Sequence, residues 1–110
     1  MRSVKYFCSE RSMSNEKWKP IYSWFEKNNV PINLKPEDCD ISVALEGKFV
    51  NPVALCGKKI LLCKPDEWQI FKWVYMYKPI LEEYYDKIVD ITEIKPEQIS
   101  HEVENVCASL

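Results

Sequence analysis

Short apolar runs alternate along this chain with longer stretches whose apolar positions recur every three or four residues. "SVKYFCS", residues 3–9, alternates and is rich in β-formers, which predicts a first strand. Ser14 is placed to cap a helix in which Trp18, Ile21, Tyr22 and Phe25 fall at i, i+3, i+4 and i+7. Pro20 either sets the start of the regular helix near Lys19 or kinks its first turns. Asn28 and Asn29 end it. "VPINL", residues 30–34, reads as a short strand, with Pro31 favouring an edge position or a strand start. "CDISVAL", residues 39–45, is nearly continuous in apolar character, as suits a strand covered on both faces.

Asn51 is expected to cap a short helix, with Pro52 at its first position and Gly57 just past its end. "KKILLC", residues 58–63, reads as another buried strand. The longest helical pattern follows at residues 64–87. Pro65, Asp66 and Glu67 mark its start. Ile70, Trp73, Val74 and Tyr77 are spaced for one face, Pro79 must kink or break it, and Leu81, Tyr84 and Tyr85 belong to its second half. "IVDI", residues 88–91, is the last strand. A final helix begins at Pro96 and carries Ile99, Val103, Val106 and Cys107 on one face.

Strands alternating with helices predict one α/β domain over residues 1–110, a small three-layer Rossmann-like or flavodoxin-like fold with a mostly parallel sheet of four to five strands. The connection over residues 30–39 is too short for a crossover helix. The second strand must therefore pair antiparallel, or its neighbour must lie across the sheet.

Composition narrows the classes. A chain of 110 residues that is 46% hydrophobic can bury a core without a metal or disulfide. The net charge is −2 and the basic residues are scattered, so nucleic acid is not an expected partner. The five cysteines form no CxxC and His101 is the only histidine, a poor zinc set, and no cofactor is called for. An odd cysteine count without a secretory leader points to a reducing, cytoplasmic location. No window approaches the ~20 apolar residues of a membrane span.

In open parallel sheets, ligands sit outside the carboxyl ends of the strands, near the point where strand order reverses. That rule gathers Ser9, Glu10, Arg11 and Ser12 after the first strand, Glu46, Gly47, Lys48 and Asn51 after the "CDISVAL" strand, Lys64, Asp66 and Glu67 after "KKILLC", and Thr92 and Glu93 after "IVDI"; of these, Ser9, Arg11, Ser12, Gly47, Lys48 and Asn51 are the ligand candidates. Arg11 and Lys48 are the anion binders, and the helix starts near Asn51 and Asp66 would add partial positive charge. A phosphate-bearing small molecule fits such a rim. The plainer reading makes Gly47 a turn glycine, Gly57 a helix terminator, and both cations solvated side chains. Neither GxGxxG nor GxxxxGK[ST] occurs.

Nucleophilic catalysis has little support. His101 reads as a surface residue. Cys8, the only cysteine near the rim, would need Arg11 to become a reactive thiolate, and a buried structural cysteine is the commoner case. Four Trp, six Tyr and four Phe exceed what so small a domain readily buries. Trp24 and Tyr75 fall off the apolar faces, so some aromatics should reach the surface and serve a protein partner or a homodimer.

"CDISVALEGKFVNPVALCGKKILL" resembles the strand–loop–helix–strand passage in one half of a two-Rossmann, GT-B type glycosyltransferase-like protein, and "ILEEYYDKIVDITEIKPEQISHEV" resembles the tail of such a half. The middle segment is also similar to nucleoside deoxyribosyltransferase-like proteins, with their "D…A…GK" rhythm. The cover is roughly half the chain and the motifs are of low specificity. The first family needs a second Rossmann half that these residues do not contain. The second needs a nucleophilic glutamate on the helix before the GK strand, where this chain has only "NPVAL". No catalytic residue carries over.

The expectation is therefore a small non-catalytic binding protein, regulatory or inhibitory in the style of phage proteins, that holds a nucleotide-like anion or docks a protein. The alternatives are a nucleotide or nucleotide-sugar transferase or hydrolase whose site a dimer partner completes, and a pure protein-interaction domain.

Overall fold

The computed structural model describes residues 2–46, 50–65 and 69–110. Strands β1 (Val4–Phe7), β2 (Ile32–Asn33), β3 (Ile41–Leu45), β4 (Lys58–Cys63) and β5 (Lys87–Asp90) form one sheet in the order β2-β1-β3-β4-β5. Every neighbouring pair is parallel: Tyr6 lies beside Ile32 and Val43, Val43 beside Ile60, and Leu62 beside Val89. This is the doubly wound order that reverses between β1 and β3. The protein is a three-layer α/β domain, as the pattern predicts.

Of the two arrangements open to the second strand, β2 takes the crossed one. It pairs with β1, and residues 34–40 pass over β1 to reach β3 without a helix. Pro31 precedes the two-residue edge strand, where its missing N–H removes no ladder bond.

Central β3 is buried at all five positions. Its alternation divides the core into two clusters. Toward one face, Tyr6, Val43, Leu45, Ile60 and Leu62 pack against helix α1 (Lys19–Lys27) through Trp18, Ile21, Tyr22 and Phe25, and against the final helix through Ile99 and Val103. Toward the other face, Phe7, Ala44 and Leu61 form a smaller cluster with Leu55 and Tyr85, and Trp73 and Leu81 are half-buried against it. Ser42 is buried, and its hydroxyl donates to the Cys56 carbonyl at 2.6 Å.

Helix α1 starts at Lys19 with Pro20 in its first turn, so the regular-start alternative holds. Ser14 is not its cap. It ends a separate 3-10 turn, Arg11–Ser14, where its hydroxyl donates to the Arg11 carbonyl at 2.9 Å.

Helix α2 spans residues 70–81, with a π-helical stretch at Trp73–Tyr77. The π stretch explains why Pro79 does not break the helix. A proline ring collides with the carbonyl four residues back in a regular helix, and a wider turn before it relieves that clash. The same widening shifts the helical phase. Of the four residues spaced for one face, only Trp73 turns to the sheet; Ile70, Val74 and Tyr77 are exposed. The predicted start at Asp66 and Glu67 lies outside the described residues.

Helix α3 (Ile99–Cys107) follows a 3-10 turn at Pro96–Gln98 and buries Ile99 and Val103. Gly57 does not end the short helix, which stops at Ala54 with Leu55 extended as its C-cap. The φ of Gly57 is +68°, and a Cβ there would stand 2.1 Å from the Asp40 carbonyl oxygen, because β4 starts hard against the start of β3. All five cysteines are free. Among the described residues, no helix is long and apolar enough to cross a membrane, and no three His, Cys, Asp or Glu side chains are grouped to hold a metal ion.

Candidate functional site

Because the strands run parallel, their carboxyl ends share one edge, and the β1/β3 reversal sits at its middle. The segment leaving β1 is held by hydroxyls. Ser9 Oγ and Ser12 Oγ pair at 3.0 Å, and Ser9 Oγ also accepts from the Ser12 amide at 3.1 Å. Asn15 follows, its Oδ1 accepting from the Lys17 amide at 3.0 Å. With its carbonyl so engaged, the Asn15 amide donates across the reversal to Glu46 Oε1 at 2.8 Å.

Glu46 leaves β3 in the left-handed region, with φ at 67°. A residue with a Cβ pays about 1 kcal/mol or more for that conformation, and such strain gathers at functional sites. Its second oxygen, Oε2, is buried with no hydrogen-bond partner among the described residues. Burial raises the Tyr22 pKa above the usual tyrosine range, the Cys8 thiol and Glu46 carboxylate add to this, and Ser12 offsets part of it. Burial, with the Glu46 carboxylate, pushes the Cys8 thiol up to about 11. A buried Tyr22–Cys8–Ser12 knot thus backs the Glu46 carboxylate.

Two hollows open beside the reversal, and a third of about 500 Å³ lies farther along this edge between Pro65, Asp90 and Thr92. One of about 550 Å³ lies over the ends of β3 and β4, where Asn15, Lys17, Glu46, Lys64, Trp73 and Tyr77 are among the lining side chains. Lys64 Nζ donates to the Lys17 carbonyl at 3.3 Å, which ties the end of β4 to the segment before α1. The other, about 290 Å³, lies over the end of β1 and is lined by Ser9, Lys35 and Asn51 above an apolar floor of Phe7 and Leu55. A larger hollow of about 740 Å³ runs between α1 and the β2 edge, away from the β1/β3 reversal.

Of the six residues selected from sequence, Ser9 and Asn51 meet in the smaller hollow. Ser12 is buried and shapes the turn, and Arg11 is exposed on the 3-10 turn. Gly47 and Lys48 lie outside the described residues. The helix expected at Asn51 is a single 3-10 turn, Pro52–Ala54, and the Asn51 side chain already accepts from the Val53 amide at 3.1 Å. Three residues build no appreciable dipole, so that source of positive charge falls away.

Sequence reasoning missed Asn15, Lys35, Trp73 and Tyr77. Lys35 was within reach of the carboxyl-edge rule, since it closely follows β2. Trp73 and Tyr77 share a helix face as their spacing predicts, but no spacing rule aims that face at the hollow. No protein-family model, curated protein or solved structure matches the chain.

Proposed function

We propose that this chain is a small binding protein, not a catalyst, that holds a nucleotide-like anionic molecule at the carboxyl edge of its sheet. Glu46 carries the reading. It stands at the strand-order reversal with one oxygen held by Asn15 and the other buried and unpartnered among the described residues. A buried carboxylate oxygen is costly unless a donor reaches it. A sugar hydroxyl or base N–H of a bound molecule supplies that donor. Lys64 and Lys17 bring positive charge for the anionic part, and Trp73 and Tyr77 offer ring faces to a base.

Turnover is not part of the reading. The one thiol at the reversal is held protonated by burial and a neighbouring carboxylate, the opposite of what a nucleophile needs. His101 is exposed on α3. A protein that binds without converting acts by sequestering its ligand or by presenting it, which fits a regulatory or inhibitory role of the kind phages use.

The test is titration calorimetry against nucleoside monophosphates, diphosphates and nucleotide sugars. At least one should bind. Glu46→Gln and Lys64→Ala should each weaken it about 10-fold, roughly 1.4 kcal/mol, while both variants stay folded. No binding by any of them, or binding unmoved in both variants, contradicts the reading.

A further inference from the structure

Helix α2 has a second side that the ligand site does not use. Phe71 and Tyr75 stack at 6.2 Å with an interplanar angle of 12° and stand 75% and 73% exposed. Ile80 and Tyr84 are also exposed, by 59% and 46%, as are Ile70, Val74 and Met76, whereas Tyr77 belongs to the ligand hollow. At about 200 Å² per aromatic side chain, the rings of Phe71, Tyr75 and Tyr84 alone present on the order of 400 Å². The four aliphatic side chains bring the patch toward the ~800 Å² that each partner contributes to a standard interface. That exceeds what a chain working alone ordinarily leaves to water.

We propose that α2 is the interface of a two-fold homodimer, packed antiparallel against the same helix of a second copy. The charges select this occupant and orientation. Lys72 stands near one end of the helix and Glu83 just past the other, both exposed, while Glu82 pairs with Lys78 of its own chain at 4.0 Å. Turning a second copy about an axis midway along the helix sets each Lys72 against the other copy's Glu83, Phe71 against Tyr84, and Tyr75 against Ile80. A parallel pairing would oppose like charges instead. An isologous contact closes on itself, so the assembly stops at two.

The inference is independent of the ligand reading, and its test needs no ligand. Sedimentation equilibrium of the full chain at about 100 μM, enough to fill a micromolar interface, should give twice the 13.0 kDa of one chain. Tyr75→Glu should give a monomer with an unchanged far-ultraviolet circular dichroism spectrum. Lys72→Glu should weaken the dimer at least 10-fold, and adding Glu83→Lys to it should restore most of the loss. A monomeric wild-type chain, or a dimer that neither Tyr75→Glu nor Lys72→Glu moves, overturns the proposal; a complex formed only with a different protein does so as well.

Discussion

Helices α1 and α2 are both rich in aromatics, and they spend them in opposite ways. Around α1, Trp18, Tyr22 and Phe25 are buried, with Phe25 meeting Tyr6 edge-on at 4.9 Å. Along α2, Phe71, Tyr75 and Tyr77 stand in water and only Trp73 turns inward. The cause is local. A regular 3.6-residue period keeps the α1 stripe on one line, whereas the π turn before Pro79 rotates the α2 stripe away from the sheet. Apolar content alone therefore does not reveal whether a helix serves the core or a partner; the phase of its stripe relative to the sheet does.

The largest effect should separate the two helices directly. Phe25→Ala empties a fully buried site and should cost about 3–5 kcal/mol in urea unfolding. Phe71→Ala, measured at the lowest workable concentration, should cost no more than about 0.5 kcal/mol. Similar costs would erase the distinction.

A smaller effect sharpens it through pH. Burial pushes Cys63 and Tyr85 up to about 12 and, with Glu46, Cys8 to about 11, from ordinary values of 9.0 for a thiol and 10.0 for a phenol. The folded state prefers the neutral forms. Their contribution is thus complete below the unfolded values and is lost as pH rises from about 9 toward 12. Urea midpoints should stay level below pH 9 on this account and fall above it, less steeply in Tyr85→Phe. A midpoint that rises across that window would contradict the burial assigned to these groups.

Most of the fold was legible in the chain. The continuous run at residues 39–45 became the central strand, residues 58–63 matched β4, and the Trp18/Ile21/Tyr22/Phe25 stripe lies against the sheet. Those elements follow one period throughout, so local pattern and tertiary packing agree. Legibility failed where a side chain competes for the backbone or a helix changes period. Ser14 and Asn15 each close a turn of their own, so Ser14 caps nothing in α1, although Pro20 marked Lys19 as its start. The carboxyl-edge rule located the edge itself but not the Asn15–Glu46 bond, which depends on a contact between residues 31 positions apart.

The central claim is that the edge between β1 and β3 is a ligand site, with Glu46 as its anchor. Native mass spectrometry of the purified chain with a nucleoside diphosphate reads this most directly. The account predicts one added nucleotide per chain, retained on gentle activation by the wild type and lost in Glu46→Gln. An unadorned wild-type peak with every nucleotide tried, or the same adduct in Glu46→Gln, would contradict it.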